Sequence, residues 1–200
     1  MPNSLPQPFI HDGAVSNDGL IKDLLSCVEQ QLQASTTVNS LTNPTSATDL
    51  ATFTIGAPTG GASVSLNAPG KALQITAFGT YNLGAASTVV FTVKLGGATL
   101  ATFTTASQAT TGVTLGWQLQ LTSITVTPGA SGTAEAHGAL QFDSGATLAA
   151  ASSQFLDSNT AVITSINYTG PLLLEVMANF GTGNGASVIA IRTLEVELYN

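Results

Sequence analysis

Few side chains in this sequence have the types and spacing that chemistry needs, and each candidate meets a structural competitor. Gly181 to Ala186 read GTGNGA, formally the glycine pattern of a dinucleotide-binding turn. That pattern holds a pyrophosphate only where it opens a helix, because the free amides and the positive end of the helix dipole do the binding. Strand-like residues follow here, so Gly181, Gly183 and Gly185 read as a hairpin loop with Asn184-Gly185 as its turn dipeptide. His137, in TAEAHGAL, shares a strand face with Glu135 and Gln141 and reads as a solvated histidine. His11 beside Asp12 is far away in the chain, so no metal and no cofactor is assigned. The single cysteine, Cys27, excludes an intrachain disulfide and any zinc site needing two cysteines from one chain. Neither G-x-S-x-G nor H-E-x-x-H occurs. Arg192, the only arginine, is expected to pair with a carboxylate such as Glu175. Trp117 lies in an alternating apolar row and is expected in the core, with a sugar-stacking platform as the competing reading.

One stretch, LQFDSGAT, has a catalytic look. Asp143-Ser144-Gly145-Ala146-Thr147 after an apolar residue resembles the active-site turn of retropepsin-type aspartic proteases. The resemblance implies a dimer in which two such aspartates share one proton across a water. It also implies a later Ile/Leu-Gly turn packed behind that loop, and the sequence offers no convincing one. Asp-Ser-Gly is equally ordinary β-turn chemistry. The chain is read as no enzyme.

Composition narrows the classes further. Only 8% of the 200 residues are charged, against roughly 25% in an average soluble protein. In their place stand 29 threonines and 20 glycines. With four Lys+Arg against eleven Asp+Glu, no basic stripe can be assembled, so nucleic acid is not an expected partner. Mean hydropathy is +0.32, which raises the question of membranes. The longest uncharged stretch, Leu95 to Ala134, is full of Thr, Ser, Gln and Gly, and no window offers the roughly 18 apolar residues of a spanning helix. Aromatics are too thinly spread for the two girdles of a membrane barrel. The opening MPNSLPQPFIHDG has neither a basic n-region nor an apolar h-region, so secretion is not expected.

Residues 1–45 read as an extended arm with one short amphipathic helix, GLIKDLLSCVEQQLQ, capped by Asp18. Within it Ile21, Leu25, Val28 and Leu32 follow the spacing of a heptad seam. That face either packs on the chain's own β domain or docks against identical helices or a partner. STTVNSLTNPTSATD reads as a linker, and residues 46–200 as one β domain. Runs such as LATFTI, ASVSL, KALQITAFGTY, STVVFTVKL, LGWQLQLTSITVT and LEVEL alternate in strand fashion between Gly, Pro and Asn turns. Gly96-Gly97, between two alternating runs, is the strongest hairpin signal. A phase slip between Leu121 and Ile124 suggests a bulge or bend. The expectation is all-β: a single jelly-roll-like antiparallel sandwich of about eight to ten strands. In LLLEVMANF both faces are apolar, with Leu173 and Met177 opposite Leu172, Leu174, Val176 and Phe180. ASVIAI repeats this with Val188 against Ile189 and Ile191. Leu173, Met177, Ile189 and Ile191 are therefore expected, with the helix stripe, at contacts between subunits.

Residues 70–200 resemble a β-rich structural protein of tailed bacteriophages in the style and order of their elements. Those elements are the Leu73–Tyr81 strand, the Phe91–Leu100 hairpin, the Trp117–Val126 strand and the closing LEVELYN. The resemblance implies a virion component, often a trimeric jelly roll, that cements or decorates a capsid or sits on the tail. Its partners would be its own copies, as a homotrimer, and the major capsid protein or another virion protein. Residues 1–45 would be the anchoring arm. Assembly in the host cytoplasm agrees with the lack of disulfides. The rival is a tail-associated receptor- or carbohydrate-binding sandwich, which calls for exposed aromatics such as Tyr81, Phe155 and Tyr168.

Overall fold

The computed structural model describes residues 30–35, 39–56, 66–109, 113–144, 152–182 and 186–199. These form eleven strands: β1 (Gln30–Ser35), β2 (Asn39–Thr42), β3 (Thr48–Ile55), β4 (Ala72–Asn82), β5 (Val89–Leu95), β6 (Ala98–Thr104), β7 (Leu115–Thr127), β8 (Gly132–Ser144), β9 (Ser152–Ile166), β10 (Leu172–Phe180) and β11 (Val188–Tyr199). The larger sheet runs β1-β11-β4-β7-β8-β9, with β2 also on β11, and the smaller runs β3-β10-β5-β6. Every pairing is antiparallel. The described chain is all-β, as its alternation predicts.

The pairs β5/β6, β4/β7, β3/β10 and β2/β11 nest one outside the next. At the centre is the hairpin turn Gly96-Gly97, with φ of 57° and 83°. Positive φ at both positions is what a two-residue turn between right-twisted strands needs, and glycine adopts it without a Cβ clash. The β8/β9 hairpin lies outside this nest, added to the free side of β7.

Strands in which every second residue is buried bring the sheets together: Val89, Phe91, Val93 and Leu95 on β5 face Leu115, Trp117, Leu119 and Leu121 on β7. Phe91 bridges the sheets, its ring centroid 4.8 Å from Trp117 and 6.2 Å from Phe142, while Tyr81 stacks on Phe142 at 4.1 Å. Trp117 thus lies in the core, as expected. Gly79 makes room for it: a Cβ there would stand 2.6 Å from the indole and 2.0 Å from the Ala190 carbonyl oxygen. Across that gap the indole Nε1 donates to the Ala190 oxygen at 3.2 Å.

The structure corrects several expectations. Gln30–Gln33, placed at the end of the helix, belong to β1. Gln31-Leu32-Gln33 alternates as well as it spirals, and the open edge of β11 offers a row of amides and carbonyls that only a strand can pair. Leu32 is thus a strand residue; Ile21, Leu25, Val28 and the Asp18 cap lie outside the described residues. The expected linker supplies β2, on the same side of β11 as β1. Most of ASVSL lies outside the described residues, and its Leu66 is buried outside any strand.

No phase slip falls between Leu121 and Ile124: the alternation of β7 runs on with Ser123 and Thr125 buried and Ile124 and Val126 exposed, and the strand slips against β8 only beyond, between Thr125 and Thr127. The segment 66–71 caps the sheet here: Thr125 Oγ1 donates to the Leu66 carbonyl at 3.1 Å, and its amide to the Lys71 carbonyl at 2.9 Å. A polar residue faces inward because a loop, not a side chain, meets it. The strands that flank GTGNGA, β10 and β11, lie in different sheets and do not pair, so they form no hairpin; Gly183, Asn184 and Gly185 lie outside the described residues.

The two-faced apolar strands resolve differently. Ile189 and Ile191 are buried in the chain's own core, so neither is available to a second subunit. Leu173 and Met177 do point outward, but their register neighbours are Thr54 for Leu173 and Asp49 and Thr92 for Met177. Pairing with threonine-rich strands breaks up the apolar strip that β10 shows in isolation.

Gly79→Ala is expected to lower unfolding free energy by about 1–3 kcal/mol, the usual range for forcing atoms into a packed core. Gly170, with nothing near its absent Cβ, is the control: Gly170→Ala should stay within about 0.5 kcal/mol. Urea midpoints of the two variants check this.

Candidate functional site

The outer face of the larger sheet gathers the chemistry that the sequence scatters. Five of the six exposed large apolar side chains among the described residues lie there: Phe78, Ile124, Val126, Phe155 and Val162. Register aligns a row across four strands, Phe78 opposite Gln118, Gln118 opposite Gln141, and Gln141 opposite Phe155. At roughly 4.8 Å per strand the two phenyl rings stand about 14 Å apart with two amides between them. Phe78 is 45% and Phe155 71% exposed, values that set both apart from the buried aromatics. The next row holds Thr76, Gln120, Ala139 and Asp157, and the one after it Gln74, Thr122 and His137.

Two recesses open on this face. One, of about 290 Å³, is lined by Phe78, Gly79, Gly116, Trp117, Gln118, Gln141 and Asp143. The other, of about 200 Å³, is lined by Gln74, Gln120, Leu121, Thr122, His137, Gly138 and Ala139. The first exists because Gly116 lacks a side chain; its Cβ would stand 3.1 Å from Asp143 Oδ2.

Asp143 is held from both sides of the sheet. Ser153 Oγ donates to its Oδ1 at 2.7 Å on the outer face, and Gln141 Nε2 reaches the same Ser153 oxygen at 3.4 Å. From the core, the Tyr81 hydroxyl donates to the Asp143 main-chain carbonyl. Asp143 therefore belongs to a strand paired with Ser153, not to a turn.

Sequence candidates end in different places. Asp143 and Trp117 line the same recess, and His137 the neighbouring one. Arg192 and Glu175 are in different sheets: Arg192 is the extra residue where β11 slips against β4, and Glu175 stands opposite Lys94. Tyr81 and Tyr168 are buried, so of the three aromatics proposed for exposure only Phe155 is exposed. Phe78 and the Gln118–Gln141 pair were missed as a site. Gln118 and Gln120 read as an outward face from alternation alone, but nothing local tells which strand lies beside them. Among the described residues, no cluster of three His, Cys, Asp or Glu side chains could hold a metal ion. No protein-family model, no curated protein and no solved structure matches this chain.

Burial, and then the nearby Asp143 charge, push the Tyr81 hydroxyl well above the usual tyrosine value. Burial also raises Tyr168, against a lowering hydrogen bond with Thr125. Folded tyrosines thus keep protons that the unfolded chain releases above about pH 10. The stabilisation is whole below that pH and is lost as pH rises beyond it. The urea midpoint should hold level to about pH 9 and fall steeply above about pH 10. Tyr81→Phe should flatten part of that fall while costing about 1 kcal/mol at neutral pH through the lost hydrogen bond.

Proposed function

We propose that the chain is a jelly-roll structural protein of a tailed-bacteriophage virion, a capsid cement or decoration subunit that works as a homotrimer and not as an enzyme. The observation that carries this reading is the nesting of the four strand pairs. A jelly roll puts its first, eighth, third and sixth strands in one sheet and its second, seventh, fourth and fifth in the other, an architecture found in viral capsid and lectin domains. The orders β2-β11-β4-β7 and β3-β10-β5-β6 fit that scheme when β8 and β9 are counted as an added hairpin.

The resemblance to phage structural proteins supports the same reading, since its strand, hairpin, Trp-strand and closing-strand elements fall on β4, β5/β6, β7 and β11. A cement protein must bury surface against neighbours and resist unfolding, and β8/β9 widens the sheet that carries the exposed apolar side chains. Its partners on this reading are copies of itself and the major capsid protein or another virion protein.

Light scattering after gel filtration tests the assembly. The full chain should give three times its 20.2 kDa, and a chain beginning at Gln30 should give one, placing Ile21, Leu25 and Val28 at the seam. That starting point spares β1 and β2, which a cut near residue 46 would strip from β11. A full-length monomer at every concentration would overturn the reading.

A further inference from the structure

We infer that the outer face of β4, β7, β8 and β9 is a binding site for an uncharged oligosaccharide, centred on Phe78, Gln118, Gln141 and Phe155 with Asp143 at its margin. Neither the trimer nor a place on the virion is needed for this.

The row supplies the two kinds of group that a sugar ring presents surfaces to. Phenyl faces cover the C–H side of a pyranose, and here two of them flank the row. Side-chain amides donate and accept together, which is what a hydroxyl requires of a partner. Gln118 is exposed, and among the described residues Gln141 makes one long contact, to Ser153, so their hydrogen-bonding capacity faces the ligand space. Asp143, fixed by Ser153, adds an acceptor for a pair of neighbouring hydroxyls.

Shape agrees with a chain of sugars more than with a single ring. Both recesses lie over β4, β7 and β8, one on the Gln118 row and one on the Gln120 and Thr122 rows. Successive rows are about 7 Å apart, so the two recesses follow one another along the strand direction at a spacing that neighbouring sugar rings could span. Small ligands bind where a concave surface joins apolar walls to a few placed polar groups.

Charge selects within the class. The four basic residues are Lys22, Lys71, Lys94 and Arg192, and β4, β7, β8 and β9 carry none of them. Asp143, Asp157, Glu195 and Glu197 lie on or beside the face. Against these carboxylates stands Arg192, exposed at the β11 bulge beside Phe78 and Gly79; uronate, sialate, sulfate and phosphate groups would still meet an excess of negative charge, so the ligand is neutral.

The test uses the full chain on an array of hexose and N-acetylhexosamine oligosaccharides beside sialylated, uronate and sulfated ones. Binding should be confined to neutral glycans. For the strongest hit, calorimetric titration should show Phe155→Ala and Gln118→Ala each weakening the Kd about tenfold, the factor that ~1.4 kcal/mol produces. Gly116→Val should abolish binding by filling the larger recess, and Leu173→Ala on the opposite sheet should leave it unchanged. Equal thermal midpoints for all four variants show that the fold is intact. An array without hits, preference for acidic glycans, or a hit indifferent to the three face variants would each overturn the assignment.

Discussion

Packing between the two sheets turns on a single close approach, the Trp117 indole lying over Gly79. Any side chain at 79 would strike both the indole and the Ala190 carbonyl. Without that gap the indole could neither cap this carbonyl nor present its face to Phe91. Phe91 comes from the small sheet and Trp117, Phe142 and Tyr81 from the large one, so the aromatic group is where the sheets hold each other in register. Each such ring removes a large apolar area from water, roughly 1.5–3 kcal/mol for a side chain taken from exposed to buried. Tyr81 carries this order to the surface, because its hydroxyl grips the β8 backbone at Asp143, the residue that borders the recess.

A chain with so few charges must close the ends of its sandwich by other means, and hydroxyls and amides do it. Ser187 Oγ accepts from the Gly84 amide at 3.1 Å, Ser87 Oγ from Thr182 at 2.9 Å, and Thr105 Oγ1 from Val89 at 2.9 Å. Ser87 and Gln108 exchange backbone bonds at 2.9 and 2.7 Å, and Gln108 Nε2 also reaches the Ala106 carbonyl and Gln154. Among the described residues no buried side-chain nitrogen or oxygen lacks a partner. Neutral groups close these bonds without the desolvation cost that a buried ion pair carries.

The two outer faces have consequently diverged. On the small sheet, β10's Leu173 and Met177 are separated by Glu175 and flanked by Thr54, Asp49 and Thr92, which break apolar continuity. On the large sheet, the β8/β9 hairpin carries Gln141 and Phe155 out beside Gln118 and Phe78. Without that hairpin the row would stop at Gln118; with it the row reaches Phe155. The proposed recognition surface is thus a product of the added hairpin.

Alternation alone determined that this protein is built of antiparallel strands, which residues of β5, of β10 and of β7 as far as Leu121 face inward, and where the β5/β6 hairpin turns. Period two is local, and Gly96-Gly97 needs no distant partner to require positive φ. Only the tertiary structure decided which strand neighbours which. That decision made Gln31–Gln33 an edge strand on β11, turned Ser123 and Thr125 inward beneath the 66–71 segment, and sent Arg192 out at a bulge. It also made Ile189 and Ile191 core residues and left β10's outer apolar residues isolated among threonines, Glu175 and Asp49. The Phe78–Gln118–Gln141–Phe155 row could not be read beforehand, because its four members lie on strands whose side-by-side order comes from pairing across 77 residues of chain. A face belongs to a strand's own pattern; a site belongs to the register between strands, which long-range hydrogen bonding and core packing set together.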